Sequence, residues 1–398
     1  MSAETILRIA AKGDGVTANG RHVAGAVTGD TVSEDGAITP GPHHTAPPCR
    51  HFGTCGGCQL QHADEEALRQ FVTERVAFAA ESQEIAVGEL LPTHLSPPRT
   101  RRRATLHGIK AGKGALLGFR EARSNRVVDM AECHILAPEL QVLVAPLRNL
   151  VKLSGGRAPV DISLTLADQG VDCSLKGFTA EGLAATEALL DFAREHGLAR
   201  LSLDQGYGPE TVWEPEPVTI TFADTPVGMP LNAFLQPTRD GEAVLVEDAK
   251  RFTEGAATVA DLFAGLGTFA FSLGSQTKVL AAEAARDAHF ACKSAANSRS
   301  LPVHAMHRDL FRNPLTAEEI GRFGAIILDP PRAGAREQIA QIAQSEASRV
   351  VYISCNPSSW ARDAKTLVEA GFRLEKLRPV GQFRWSTHVE LTSYFTRK

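Results

Sequence analysis

The stretch that decides the fold is Val350-Val-Tyr-Ile-Ser-Cys-Asn-Pro357, near the carboxyl end of the chain. Four residues with strand-forming side chains lead into a sequence typical of a turn, so we predict a buried strand that ends beside Cys355. In open α/β sheets, ligands bind beyond the carboxyl ends of the strands, and a thiol placed there could act as a nucleophile. The alternative is a small buried thiol that serves packing, since free cysteine is among the most buried residue types.

Upstream of this strand, the chain alternates predicted strands and helices from about residue 230, which is typical of a parallel α/β sheet. One strand begins at Val259 and leads into Phe263-Ala-Gly-Leu-Gly267, a glycine-rich turn that contains Gly265, and a helix is predicted from Phe269. The third glycine of a dinucleotide fingerprint is absent. The pattern therefore fits S-adenosylmethionine better, because this ligand has no pyrophosphate to place at the helix N-terminus.

Two further predicted strands end in carboxylates. Lys278–Glu283 ends 22 residues beyond Asp261 (283 − 261 = 22), where an acid that accepts ribose hydroxyls is expected. Asp309 is a third candidate, near the adenine edge. Another strand runs into Asp329-Pro-Pro-Arg332, and because proline fixes φ, this turn can hold a planar group against a bound methyl donor. An ordinary strand-ending turn is the alternative interpretation.

Four cysteines form a second group of candidate functional residues. Cys49, Cys55 and Cys58 lie in one glycine-containing loop, and Cys133 stands alone further along the chain. Four thiolates suit either tetrahedral zinc or an iron–sulfur cluster. Zinc ribbons usually bring two close cysteine pairs, so the three-plus-one arrangement favours the cluster, with glycines leaving room for the sulfides. Two other cysteines are predicted to serve packing: Cys173 and Cys292.

Composition and charge restrict the class of protein. The 398 residues suggest two or three domains, and 43% hydrophobic with 22% charged residues is ordinary for a soluble protein. The sequence contains no run of 18 apolar residues, and its amino terminus has no basic segment followed by an apolar one. We therefore expect a cytoplasmic protein without a membrane span. Because the net charge is only −4, RNA binding would require a local basic patch.

Such a patch is predicted between Arg99 and Arg126, where nine Lys or Arg residues accompany one acid, Glu121. A merely solvated face is the alternative, but the imbalance favours a polyanion such as RNA. Nearer the amino terminus, short strands are predicted within 6–9, 22–27 and 30–32, which together are typical of a small β-barrel. Residues 63–80 have the apolar spacing of an amphipathic helix.

Taken together, these motifs resemble the bacterial RNA uridine carbon-5 methyltransferases, specifically the iron–sulfur type that carries a TRAM domain and acts on 23S rRNA. The resemblance rests on the four cysteines, Asn232-Ala-Phe-Leu-Gln236, Asp261–Gly267, Asp329-Pro-Pro-Arg332, Ser354-Cys-Asn-Pro357 and His388-Val-Glu390. It implies three domains: a TRAM-like OB β-barrel over 1–46, a central α+β iron–sulfur domain over 47–230, and a Rossmann-like class I methyltransferase domain over 231–398. Residues 61–96 could pack on the last of these.

The resemblance also implies residue roles. It makes Cys355 the nucleophile and Glu390 the base that removes the carbon-5 proton. It implies that S-adenosyl-L-methionine is contacted by Gln236, Phe263, Gly265, Thr268, Glu283, Asp309 and Asp329, and that a [4Fe–4S] cluster is held by Cys49, Cys55, Cys58 and Cys133. The chain departs from the family pattern in two places: the TRAM segment is short and not basic, and Gln236-Pro-Thr replaces the usual Gln-x-Asn.

The implied substrate is a single-stranded or loop uridine of 23S rRNA, bound by a monomeric enzyme. Three alternatives stay open at this point. The same reaction could act on tRNA, or the chain could methylate an adenine amino group in RNA. A non-catalytic RNA-binding or redox-sensing cluster protein would explain the cysteines and the basic stretch, but it would leave the donor-binding motifs without a purpose.

Overall fold

The computed structural model describes residues 3–156, 158–274 and 277–397. The chain divides into two compact units. The first comprises the residues up to Phe71, Ser96–Val218 and Phe383–Thr387, and the second comprises Val72–Leu95, Thr219–Gln382 and the segment from His388. Among the described residues, no helix combines the length and the apolar character that crossing a membrane would require.

The elements of the first half of the chain are as follows. The strands are β1 (Glu4–Ile9), β2 (Gly15–Thr17), β3 (His22–Val23), β4 (Thr31–Val32), β5 (Ile38–Thr39), β6 (Val87–Leu90), β7 (His94–Leu95), β8 (Arg103–Ala111), β9 (Gly114–Gly118), β10 (Val160–Leu166), β11 (Val171–Lys176), β12 (Arg200–Asp204) and β13 (Pro209–Trp213). The helices are α1 (Glu65–Glu81), α2 (Pro138–Gln141), α3 (Val144–Leu153) and α4 (Gly182–Glu195).

The second half alternates strands and helices. Its strands are β14 (Thr219–Phe222), β15 (Thr225–Gly228), β16 (Thr258–Leu262), β17 (Lys278–Glu283), β18 (Val303–His307), β19 (Ala325–Leu328), β20 (Arg349–Ser354), β21 (Arg373–Gly381) and β22 (Glu390–Thr396). Its helices are α5 (Arg239–Thr253), α6 (Thr268–Ser272), α7 (Arg286–Ser298), α8 (Ala317–Ile320), α9 (Arg336–Gln344) and α10 (Pro357–Glu369).

The amino-terminal sheet has the strand order β3-β2-β1-β4-β5, and the pairings are antiparallel. Ile6, Val23 and Val32 form its small core. The strand predicted over 22–27 is wrong beyond Val23. The chain turns there because Gly25 has a φ of 76° and the N–H of Ala26 donates to the carbonyl of Val23.

The next sheet of the first unit has the order β13-β12-β11-β10-β8-β9. The apolar side chains of α3 and α4, such as Leu147 and Leu189, belong to the same core as Leu106 and Ile162 of the strands. Cys173 of β11 is fully buried in this core, as the prediction of a packing role required. The periodicity of residues 135–230 alone did not predict this sheet.

The sheet of the second unit confirms the predicted α/β class. Its order is β18-β17-β16-β19-β20-β22-β21-β6, with β18 to β20 parallel and β22 antiparallel to both of its neighbours. Val259, Ile327 and Val351 of the central strands are fully buried. Such continuously apolar strands are typical of parallel sheets that are covered on both faces.

The strand register places four predicted site residues at one edge of this sheet. Leu262 pairs with both Ala282 and Leu328, and Leu328 pairs in turn with Tyr352. The residues that follow these strand positions are Phe263, Glu283, Asp329 and, slightly further on, Cys355. The carboxyl edge of an open α/β sheet is where ligands bind in this class of fold.

Candidate active site

A cavity of about 650 Å³ lies at the carboxyl edge of the second unit's sheet, a volume suited to a small ligand. Its lining brings together most of the residues that the sequence predicted: Gln236, Phe263, Gly265, Thr268, Glu283, Asp329, Cys355 and Glu390. In the described structure Asp309 lies off this lining, and Leu310 and Phe311 line the cavity instead. The Asp309 carboxylate accepts from the N–H of Phe311 at 3.0 Å, within its own turn.

The Ser-Cys-Asn-Pro sequence holds the Cys355 backbone from two sides. On one side, Ser354 is the last residue of β20. On the other, Asn356 is the N-cap of α10, where its side chain accepts from the N–H of Ser358 at 3.2 Å, and Pro357 occupies the first helical turn. A cap of this kind stabilises a helix by about 1 kcal/mol. The thiol therefore sits at a fixed point between a strand and a helix.

The turn after Asp329 is tied to the Cys355 loop. The carbonyl of Arg332 accepts from Asn356 Nδ2 at 2.9 Å and from the Ser359 hydroxyl at 3.0 Å. Further along the turn, the buried Asp363 accepts from the N–H of Ala335 and from the hydroxyl of Tyr352, both at 2.7 Å. These bonds fix the Asp-Pro-Pro-Arg turn relative to the strand that carries the thiol.

Strand pairing explains how Glu390 reaches the site. In the antiparallel pair of β20 and β22, Ser354 lies opposite Leu391. The same register carried one residue further places Cys355 opposite Glu390. Glu390 is only 5% exposed, and it lines the cavity with the thiol. The local sequence around Glu390 does not reveal this position, because it depends on a pairing between distant segments.

The electrostatic surroundings of Cys355 keep its thiol protonated. Burial raises the pKa of Cys355 to about 11, and the negative charges of Glu390 and Asp329 contribute to the increase, while Arg332 opposes it. Only the thiolate is a strong nucleophile. The Cys355 thiol must therefore lose its proton before it can attack a substrate.

Burial also raises the pKa of Asp329 to about 7, and a hydrogen bond from Gln236 acts in the opposite direction. The Gln236 Nε2 donates to Asp329 Oδ2 at 3.1 Å. Thr238, which stands where the family pattern has Asn, is the N-cap of α5 and accepts from the N–H of Gly241 at 3.1 Å. Threonine and asparagine are both N-cap residues, so the departure from the pattern is compatible with a helix cap beside the site.

The glycine-rich turn and Glu283 form the other end of the cavity. The Glu283 carboxylate accepts from the N–H groups of Gly265 at 2.9 Å and Ala285 at 2.6 Å. Phe263 has a φ of 64°, in the left-handed region that an aromatic residue rarely adopts, and its ring centroid lies 5.3 Å from that of Phe311. Outliers of this kind cluster at ligand sites, where the surrounding structure enforces them.

In the first unit, the structure brings the four predicted cluster cysteines together. The N–H of Arg50 donates to the Glu132 carboxylate at 3.0 Å, and the N–H of Ala131 donates to His51 Nε2 at 3.1 Å, so the two cysteine segments are joined. Burial raises the pKa of Cys58 to about 12, with smaller contributions from the charges of the other three cysteines: Cys133, Cys55 and Cys49.

Several N–H groups point at these sulfurs. Cys55 Sγ accepts from the N–H of Gly57 at 3.4 Å. Although burial raises the pKa of Cys133, the backbone N–H groups of Ile135 and Leu136 act to lower it. Such donors stabilise thiolates. Among the described residues, however, no group of three or more His, Cys, Asp or Glu side chains is arranged so that it could hold a metal ion.

Fewer basic side chains of the Arg99–Arg126 stretch are exposed than its sequence suggests. Alternation along β8 turns Ala104 and Leu106 into the core, and Arg102 at the preceding inward position is only 2% exposed. The exposed cations are Arg99, Lys110, Lys113, Arg120, Arg123 and Arg126. The last three lie on a loop that is bonded to the cysteine loop, because the N–H of Gly56 donates to the carbonyl of Arg120 at 2.8 Å.

Comparison with known proteins establishes the family. A family model described as tRNA (Uracil-5-)-methyltransferase matches residues 225–398. An RNA methyltransferase of Zymomonas mobilis is 51% identical over 393 residues, which cover 98% of this chain and 99% of the relative. The chain belongs to the RNA (uracil-5-)-methyltransferase family. The predicted family, and the predicted enzyme class of RNA uracil-5-methyltransferase, are thus confirmed.

Two further similarities bear on fold and substrate. The 23S rRNA (uracil(1939)-C(5))-methyltransferase of Erwinia tasmaniensis is 28% identical over 382 residues, covering 91% of this chain and 84% of the relative. The crystal structure of Pyrococcus abyssi tRNA (uracil-54, C5)-methyltransferase, in complex with S-adenosyl-L-homocysteine, superposes with a TM-score of 0.77. It is 20% identical and covers 99% of this chain and 100% of its own, so it shows a common fold.

Proposed function

We propose that this enzyme methylates carbon-5 of a single-stranded or loop uridine in 23S rRNA, with S-adenosylmethionine as methyl donor and a covalent bond between Cys355 and uracil. The observation that carries the proposal is the strand register that sets Cys355 opposite Glu390 on the lining of one cavity. The same lining holds the residues proposed to contact the methyl donor: Gln236, Phe263, Gly265, Thr268, Glu283 and Asp329. Asp309 is a weaker candidate, because its carboxylate is engaged in its own turn.

The first chemical step falls to Cys355. Carbon-5 of uracil is a poor nucleophile, and addition of a thiolate to carbon-6 converts the ring into an enolate whose carbon-5 can attack. This covalent route divides one difficult step into easier ones. Bound S-adenosylmethionine supplies a methyl group made electrophilic by its sulfonium. The target base must leave its stack, or come from a loop, to reach the cavity.

The second step falls to Glu390. After methyl transfer, carbon-5 carries both the methyl group and its original proton. The Glu390 carboxylate takes that proton, the electron pair re-forms the double bond between carbon-5 and carbon-6, and the Cys355 sulfur leaves as a thiolate. A carboxylate directly across the strand pair from the nucleophile is well placed for this proton transfer.

The cysteines fit an iron–sulfur cluster better than zinc, and we propose that Cys49, Cys55, Cys58 and Cys133 hold a [4Fe–4S] cluster. Zinc ribbons usually bring two close cysteine pairs, whereas three of these cysteines lie in one loop and the fourth lies far along the chain. N–H donors to sulfur, as at Cys55, commonly tune iron–sulfur clusters. Methyl transfer from a sulfonium needs no net electron, so the proposed role is structural.

The choice of 23S rRNA is supported by the named activity of the Erwinia tasmaniensis relative. The fold alone does not discriminate, since the Pyrococcus abyssi enzyme with the same fold is named for tRNA. Methylation of an adenine amino group is disfavoured because Arg332, rather than a stacking aromatic residue, follows Asp329-Pro-Pro. That reaction would also leave Cys355 without a role.

The test is transfer of a labelled methyl group to RNA from a strain that lacks the enzyme, followed by separation of 23S rRNA from tRNA and nucleoside analysis. We expect labelled 5-methyluridine in 23S rRNA. Label only in tRNA would overturn the proposed substrate, and N6-methyladenosine would overturn the proposed chemistry. Cys355→Ala protein is the matched negative control.

A further inference from the structure

A buried glutamine joins the base to the donor side of the cavity. Gln382 is 2% exposed, and its Nε2 donates both to Glu390 Oε2 and, at 3.1 Å, to Gln236 Oε1. Gln236 in turn donates through Nε2 to Asp329 Oδ2 at 3.1 Å. The result is a hydrogen-bonded series that runs from Glu390 through two amides to Asp329.

The sheet places Gln382 on the same face as Glu390. Gln382 directly follows β21, and the pairing of β21 with β22 sets Val380 opposite Glu390. Two residues beyond Val380 the side chain returns to the same face, at a diagonal position that long side chains can reach. The contact between Gln382 and Glu390 therefore follows from the strand register, as does the position of Cys355 opposite Glu390.

The orientation of the Gln382 amide is fixed by its partners. Its Oε1 is buried and, in the described part of the chain, has no hydrogen-bond partner. A flipped amide would set that oxygen against two acceptor oxygens, those of Glu390 and Gln236, so the network requires Nε2 to face them. Because the Gln236 oxygen is then occupied by Gln382, the Gln236 amino group is directed to Asp329.

Gly241 leaves room for Gln382. This glycine lies in the first turn of α5, and a Cβ built on it would come within 2.4 Å of Gln382 Cγ. Glycine inside a helix is less favourable than alanine. The close approach of Gln382 accounts for a glycine at this position.

We infer that Gln382 is a positioning residue for the reaction proposed above: it holds the Glu390 carboxylate in its ionised form and directs Gln236 toward Asp329. An amide N–H that donates to a buried carboxylate stabilises the ionised form relative to the acid. Without that donor, the desolvated carboxylate binds a proton more tightly, so less of the enzyme has a base free to accept the carbon-5 proton. The inference rests on the proposed function of Glu390.

The test uses Gln382→Met, which keeps the length of the side chain and removes the donor. We expect the acid limb of the kcat–pH profile to move up by about one to two pH units, since a hydrogen bond to a charged group is of that size. Below neutral pH, a methylated RNA–protein adduct should accumulate and be visible on a denaturing gel. Raising the pH should restore turnover.

A second variant, Gly241→Ala, displaces Gln382 while every reacting group remains. It should shift the acid limb in the same direction, and it should also lower thermal stability, because the side chain that it displaces is buried and hydrogen-bonded. Gln338→Met is the matched control, since Gln338 is fully buried and bonds only to the backbone of Leu315 in the described structure. It should lower stability and leave the pH profile unchanged.

The outcomes separate the inference from the proposed function. If wild-type protein formed no 5-methyluridine, the proposed function would fail and the inference with it. If wild-type protein were active, but Gln382→Met lowered kcat equally at every pH and trapped no adduct, Gln382 would be a packing residue and the inference alone would be overturned.

Discussion

The protonation of Cys355 makes a quantitative prediction about its reactivity. Its pKa of about 11 is two units above the ordinary value of 9.0 (11 − 9 = 2), so at neutral pH the free enzyme should carry about 100-fold less thiolate at Cys355 than an ordinary cysteine. Alkylation follows the thiolate. Modification by iodoacetamide should therefore be slow at pH 7 and rise with pH until about pH 11.

Glu390→Gln provides the perturbation. Burial is the largest cause of the raised pKa, and Glu390 is the largest of the charges that add to it. Removing the Glu390 charge should lower the Cys355 pKa toward 9.0, which raises the thiolate fraction and speeds alkylation at pH 7. The exposed Glu337 of α9 is a matched control site, and Glu337→Gln should leave the rate unchanged.

The assay is timed alkylation across pH, with the peptide that contains Cys355 quantified by mass spectrometry. The same peptide in urea-unfolded protein is the reference. If folded Cys355 reacted at pH 7 as fast as the unfolded reference, its pKa would not be raised and the electrostatic reasoning would be wrong. Slower alkylation in Glu390→Gln than in wild type would refute the role assigned to the Glu390 charge.

Two further predictions concern the cluster and the base. Cys133→Ala should yield colourless protein that binds a 23S rRNA fragment more weakly. Its stability should fall by about 4 kcal/mol, the cross-link estimate for the 74 residues between Cys58 and Cys133 (133 − 58 − 1 = 74). Calorimetry should show that S-adenosylhomocysteine still binds, and the control Cys173→Ala should keep the colour. If Cys133→Ala bound the RNA fragment as tightly as wild type, the cluster would not be what positions the Arg120–Arg126 loop. Glu390→Gln should transfer one methyl group and then stall as an RNA adduct, and turnover near the wild-type rate would exclude Glu390 as the base.

Local sequence patterns predicted those site residues whose position depends only on one strand and the turn that follows it. The apolar run before Ser354 and the capping sequence after it predicted the position of Cys355, and β20 with α10 confirms it. Asp329 followed from the same logic at β19. The local sequence predicts the positions of Cys355 and Asp329 because the carboxyl ends of parallel strands lie at one edge of the sheet.

The features that local pattern missed depend on contacts between distant segments. Only the family resemblance singled out Glu390, since its place opposite Cys355 comes from antiparallel pairing across 35 residues (390 − 355 = 35). The local sequence around Gln382 and Gly241 did not single out either residue, because their contact forms between α5 and the residue that follows β21. Counting charges overstated the basic surface, since strand alternation turns Arg102 inward.

The central claim is a covalent bond between Cys355 and the target base, and trapping with 5-fluorouridine RNA tests it most directly. Fluorine at carbon-5 cannot be removed as a proton, so after methyl transfer the sulfur cannot leave. The account predicts that wild-type protein with S-adenosylmethionine forms a stable RNA adduct whose peptide map places the bond at Cys355, and that Cys355→Ala forms none. An adduct that persists in Cys355→Ala, or one mapped to another residue, would contradict it.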